Sequence, residues 1–292
     1  MGKIYKGLIC DGQISVSVLD TTDVVEESIK IHHLSPVAAA ALGRTLTACA
    51  FMSSCLKNED DNLSVTIDGN GVGGQIVVCG DADLHIRGYV DNPTADLPLN
   101  AAGKLDVRSF VGNTGKITVV KNMGLKEPYT GCCHIVSGEI AEDFAAYYTY
   151  SEQQPTGIAL GVKIGKDYDC VGAGGVVMQP LPDANEESLD KAEELLSHFG
   201  NISSMIETTG VKGIIDEYFS GVEFEEREVT YKCNCSRDYV DRVLLTLGKK
   251  ELYDAIESDG KIEVVCHFCP QKYVYRKEDI DELLGENGER KQ

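Results

Sequence analysis

Two short cysteine pairs carry the chemistry this sequence is best equipped for: Cys233-Asn234-Cys235 and, thirty residues later, Cys266-His267-Phe268-Cys269. Residues i and i+2 of an extended segment project from one face, so Cys233 and Cys235 can chelate a single ion. A Cys-x-x-Cys turn folds two more sulphurs inward. Four thiolates so spaced suit tetrahedral zinc, with bonds of about 2.3 Å. Paired spacing twice within one short segment separates this set from four merely buried thiols. His267, between two of the candidate ligands, is the competing donor for a site of three cysteines and one histidine. The four cysteines close the tetrahedron without it, and adjacent residues rarely converge on one ion.

The residues between and after the pairs must hold those sulphurs in place. Ser236 reads as an N-cap, Val240, Val243, Leu244 and Leu247 fall on one helical face, and Gly248 reads as a stop. Residues 261–265 and 271–276 read as two short strands flanking the Cys-x-x-Cys turn, with a further helix near residues 277–284. The result is a compact zinc module.

The preceding chain alternates sheet and helix. Residues 4–22 suggest a hairpin with Ile14, Val16 and Val18 on one side. Ser35-Pro36 supplies an N-cap and first residue to a long helix over residues 37–56, whose alanines let other elements approach its backbone. Strand-like runs follow at 65–67, 75–78, 85–90 and 116–120. The run Gly69-Asn70-Gly71-Val72-Gly73-Gly74 lacks the Lys-Ser/Thr and the helix of a phosphate cradle, and so reads as a hairpin turn. A helix is expected over 139–150, a capped turn at Ser151-Glu152-Gln153-Gln154-Pro155, and strands at 158–164 and 176–178. No histidine near Ser151 in sequence provides a base for nucleophilic catalysis.

Past Leu181-Pro182 the composition changes. Residues 183–228 contain thirteen acidic and three basic residues, yet Leu189, Ala192, Leu196 and Phe199 keep helical spacing, and Val211, Ile214, Ile215, Tyr218 and Phe219 form a second apolar group. A docked helical segment with that much like charge is held by its apolar face against self-repulsion, so it responds to what its neighbours do. The expected architecture is α+β: a mixed sheet-and-helix core over 1–182, an acidic helical linker over 183–229 and a small zinc-binding domain over 230–292.

Composition narrows the functions available. With 27 Lys and Arg against 47 Asp and Glu among 292 residues, the formal charge of −20 repels phosphate backbones. A nucleic-acid-binding zinc protein is therefore opposed by charge. Eleven cysteines without a secretory signal read as thiols kept reduced inside a cell, and no stretch reaches the roughly eighteen apolar residues of a membrane span. A soluble, cytoplasmic protein is expected. A thiol-disulfide oxidoreductase using Cys266 and Cys269 is the other alternative, but its Cys-x-x-Cys would open a helix rather than lie between strands.

The chain resembles the redox-regulated thirty-three-kilodalton heat-shock chaperones over its whole length. The likeness rests on the two cysteine pairs, on Tyr150-Ser151-Glu152-Gln153-Gln154-Pro155-Thr156, on the helix from Ser35-Pro36 to Leu42-Gly43-Arg44, and on His85-Ile86-Arg87-Gly88-Tyr89-Val90. The resemblance implies a non-enzymatic, ATP-independent holdase for unfolded or aggregation-prone proteins, dimeric when active. It implies that Cys233, Cys235, Cys266 and Cys269 bind one zinc when reduced and form a disulfide within each pair when oxidised. The Cα atoms of Cys233 and Cys235, two extended residues apart, would lie at roughly 6.6 to 7.2 Å, at or beyond the usual disulfide limit, so bridging them needs backbone movement. Cys10, Cys49, Cys55, Cys79, Cys132, Cys133 and Cys170 match no motif of that family, and the adjacent Cys132 and Cys133 read as packing residues of a strand.

Overall fold

The computed structural model describes residues 1–289. Strands β1 (Gly2–Ile9) and β2 (Ile14–Asp20) form the opening hairpin. Its turn places Cys10, Asp11 and Gly12 successively in the left-handed region, which glycine enters freely. Helix α1 (Thr22–His32) follows, then α2 (Pro36–Ser53), where the Ser35 side chain accepts the Ala38 N–H and the proline opens the first turn, as the sequence predicts. Strands β3 (Asn62–Asp68), β4 (Ile76–Asp81) and β5 (His85–Val90), the short helix α3 (Val107–Val111), and strands β6 (Lys116–Asn122) and β7 (Tyr129–His134) come next. Helix α4 (Ala141–Tyr147) runs into a π turn (Tyr148–Glu152), before β8 (Gly157–Ile164) and β9 (Cys170–Pro180).

The acidic segment forms α5 (Glu186–Ser197), a 3-10 turn (His198–Asn201) and α6 (Ile202–Tyr218). It is followed by strand β10 (Phe224–Tyr231), which the sequence reading did not anticipate. All ten strands so far form one sheet in the order β7-β6-β3-β4-β5-β10-β1-β2-β9-β8. Its neighbours pair antiparallel except at one seam: β10 is antiparallel to β1 but parallel to β5, through Thr230 opposite His85 and Tyr231 opposite Ile86.

Period-two alternation sends side chains to both faces of this sheet. From β1, β2 and β9, Ile4, Leu19, Ala173 and Val177 join the large core around α2, which is buried along nearly its whole length. A Cβ on Gly43 would stand 2.8 Å from a Val162 methyl and 2.9 Å from one of Val25, so only glycine allows this contact. The opposite set from the same strands, Tyr5, Ile9, Ile14, Val16, Val18, Val176 and Met178, packs against Phe199, Ile202, Ile206, Val211, Ile214 and Phe219 of the acidic segment. The glycine run at 69–74 lies against the end of α3, with Gly71 N–H donating to Val111 O and Gly73 N–H to Phe110 O. Backbone occupies the space a phosphate would need.

The chain divides into two compact units, Met1–Lys232 and a second beginning at Cys233. The second contains α7 (Arg237–Leu247), α8 (Lys249–Asp259), the hairpin β11 (Ile262–Val265) and β12 (Lys272–Tyr275), and α9 (Lys277–Glu289). Its own small core comprises Val240, Leu244, Leu252, Ile256, Tyr273, Tyr275 and Ile280.

Candidate metal centre

Each cysteine pair stands at the end of a regular element. Cys233 and Cys235 precede α7, whose start is fixed by Ser236: its hydroxyl accepts the Tyr239 N–H at 3.2 Å. Cys266 and Cys269 occupy the turn between β11 and β12, closed by Cys266 N–H donating to Gln271 O at 3.0 Å. The register from Ile262 opposite Tyr275 to Val265 opposite Lys272 thereby sets where both sulphurs emerge.

These elements bring the four predicted ligands together. All four Sγ atoms lie within 4.8 Å of one another, with Cys233 3.6 Å from Cys266 and Cys235 3.4 Å from Cys269. A tetrahedron with metal–sulphur bonds of about 2.3 Å has edges of about 3.8 Å, so this spacing fits one zinc-sized ion and is well outside a disulfide bond. His267 is outside the cluster. Four soft sulphurs with no open position form the donor set of a closed structural site rather than of a catalytic one.

The electrostatics point the same way. Burial pushes the Cys233 thiol up, and pushes that of Cys269 up to about 11. Half-buried sulphurs in contact thus resist ionising together unless a cation joins them. At Cys235 burial also opposes ionisation, but hydrogen bonds from Tyr273 and from the neighbouring thiols outweigh it and the thiol is lowered. Tyr273 Oη donates to Cys235 Sγ at 3.2 Å. The backbone N–H of Cys235 supports Cys233, and that of Gln271 supports Cys269. Outer hydrogen bonds of this kind orient metal ligands and tune them. Tyr273 escaped the sequence reading because an aromatic residue in a strand looks the same whether it fills a core or serves a site.

The other seven cysteines are free and dispersed. Cys49 and Cys170 are buried, and burial raises both, Cys170 to about 12; they are inert packing residues. Cys132 and Cys133 lie in β7 as expected, but only Cys133 packs against the core; Cys132, on the opposite face of the strand, is exposed. The segment 150–156 also has a structural explanation: Glu152 accepts hydrogen bonds from Lys121 at 2.8 Å and from Tyr147 Oη at 2.5 Å, fastening the π turn to β6. Among the described residues no helix is long and apolar enough to cross a membrane.

A family model described as Hsp33 protein matches residues 2–276, almost the whole chain. The chain belongs to the Hsp33 family. Its relatives include the 33 kDa chaperonin of Alkaliphilus oremlandii, 43% identical and aligned over 97% of this chain and 96% of that one. The 33 kDa chaperonin of Clostridium botulinum is 40% identical, aligned over 97% of each. The crystal structure of the 33 kDa chaperonin of Thermotoga maritima superposes with a TM-score of 0.88 at 35% identity, covering 98% of this chain and 99% of that one. Membership makes the protein a redox-regulated chaperone with a mixed α+β fold, as the sequence resemblance implied.

Proposed function

We propose that the chain is an ATP-independent holdase switched on by oxidation of Cys233, Cys235, Cys266 and Cys269, which together hold one zinc in the reduced state. The observation that carries this reading is the convergence of four sulphurs, from two distant sequence pairs, at the spacing of a single tetrahedral ion. Bound zinc supplies folding free energy, on the order of 10 to 16 kcal/mol for small structural sites near neutral pH. The thiols are the sensor. Oxidation removes donors from the set, and a disulfide within each pair, Cys233 with Cys235 and Cys266 with Cys269, draws each pair out of the tetrahedral arrangement. A module this small, with seven buried apolar side chains in its core among the described residues, cannot easily stay folded without its staple.

Within the acidic segment over 183–229, the helical part from α5 to α6, residues 186–218, is then the element released, with β10 left in the sheet. Its apolar residues cover Tyr5, Ile9, Ile14, Val16 and Val18, a surface suited to unfolded client proteins once bare. Clients, a homodimer in the active state and a cytoplasmic location complete the proposal, with neither nucleic acid nor membrane as a partner. The oxidoreductase alternative is disfavoured because Cys266 and Cys269 sit in a turn between strands rather than at a helix N-terminus.

The deciding experiment treats the reduced protein with hypochlorous acid, or with peroxide under mild heat. Zinc release is followed with a chromogenic chelator while light scattering reports aggregation of a heat-unfolded client. Release of one zinc per chain, two disulfides and suppressed aggregation are expected together without ATP, and reductant with zinc restores the resting state. Full suppression by the reduced, zinc-loaded protein would overturn the switch.

A further inference from the structure

The cysteine cluster is not symmetric in its surroundings, and the asymmetry has a chemical consequence. Backbone N–H groups support Cys233 and Cys269, and these donors persist whatever side chains the chain carries. Cys235 instead receives the phenolic O–H of Tyr273, at 3.2 Å. The Tyr273 ring is built into the core of the second unit with Val240, Leu244 and Ile256, which fixes where its hydroxyl can point. Its neighbour two residues on, Tyr275, belongs to the same core but directs its hydroxyl to Asp241, at 2.6 Å, and away from sulphur.

We infer that Tyr273 is a positioning residue whose hydroxyl, by hydrogen-bonding the Cys235 sulphur, slows oxidation of that sulphur and so sets the threshold of the response. In the first step a thiolate lone pair attacks one peroxide oxygen and the O–O bond breaks. The sulphur becomes a sulfenic acid, two electrons pass to peroxide, and the departing hydroxide takes up a proton to form water. A nearby thiol then displaces the sulfenic hydroxyl as water, giving the disulfide. The lone-pair density that begins this sequence is the density to which Tyr273 donates. Its removal leaves a more nucleophilic sulphur of unchanged position, because Phe fills the same core volume. This inference rests on the four-cysteine site proposed above and concerns which side chain governs the reactivity of one of its members.

The test compares Tyr273→Phe with Tyr275→Phe in the full-length, reduced, zinc-loaded protein. Site-resolved thiol labelling after brief peroxide exposure gives the oxidation rate at Cys235 relative to Cys269. In Tyr273→Phe this ratio is expected to rise about tenfold, the size associated with losing one hydrogen bond to a charged group. Tyr275→Phe, which loses a hydroxyl contact in the same core, is expected to leave the ratio unchanged. Cobalt-substituted protein supplies a second readout: the sulphur-to-metal charge-transfer band shifts in Tyr273→Phe and not in Tyr275→Phe. An unchanged ratio and band in Tyr273→Phe, or equal changes in both variants, would overturn the inference. Equal loss of zinc from Cys233→Ser, Cys269→Ser and Cys133→Ser would instead count against the site itself, so the two failures are distinguishable.

Discussion

Exchanging one sulphur for a hydroxyl removes a soft donor while leaving size and backbone nearly unchanged, so single Cys→Ser variants probe the metal centre directly. The reduced protein is expected to hold one zinc per chain. Cys233→Ser or Cys269→Ser should lower occupancy sharply, whereas Cys133→Ser, in strand β7, should leave it intact. Metal analysis of the purified variants checks this, and equal losses in all three would refute the ligand set. At this scale the site was largely legible in the sequence, because chelation demands pairs at short spacing and the two pairs satisfy it. What the sequence withheld was Tyr273. Its role depends on strand register across β11 and β12, a relation between residues that no local pattern records.

Among the elements, α6 contains a point of weakness visible only in the backbone. Gly210 has φ 67° and ψ 170° within the helix, a region open essentially to glycine alone, and a Cβ there would meet nothing within 4 Å. Gly210→Ala therefore tests backbone conformation without a steric clash and should cost about 1–3 kcal/mol of docking stability. Faster amide exchange through residues 202–218 in the reduced protein is the expected sign; unchanged exchange would show that the segment tolerates the substitution by local adjustment. Phe199 is the complementary test. It stacks on Phe219 at 5.9 Å, meets Tyr218 edge-on at 5.1 Å and is buried. Phe199→Ala should cost about 3–5 kcal/mol and give partial client binding without oxidant, measured by light scattering. Client binding that stays strictly oxidant-dependent would separate this aromatic cluster from the switch.

Caps made several elements readable: Ser35 with Pro36 for α2, and Ser236 for α7. Gly248 is a helix stop, as the sequence predicts, but it also precedes α8 directly, so a single residue ends one helix and begins the next. Strand β10 was hidden for a different reason. Its sequence, Phe-Glu-Glu-Arg-Glu-Val-Thr-Tyr, carries the acidic character of the segment before it, and it becomes a strand through the pairing offered by β1 and β5. Lys3 meets Glu226 across that pairing, which offsets part of the charge.

For the whole molecule, the division at Lys232 and Cys233 predicts two separable stabilities. Chelation of the metal should abolish amide protection in residues 233–289 and, as the acidic segment lets go, raise exchange through residues 186–218, while the rest of residues 1–232 stays protected, because the first unit has an extensive apolar core and the second, on the proposed reading, depends on zinc. Hydrogen exchange with and without chelator measures this. Simultaneous loss across both units would show a single cooperative structure instead.

The place of β10 in the sheet has one more consequence. The segment between Pro180 and Phe224 enters from β9 and returns into β10, and both strands belong to the same sheet. Once undocked, with those strands in place, it is a loop moored at both ends rather than a free tail. Closure entropy grows only logarithmically with loop length, so the moorings keep the apolar face at high effective concentration over the surface it left. Recovery is then a local search: when the sulphurs are reduced, the segment has to resettle, and it has no distance to travel to find its berth.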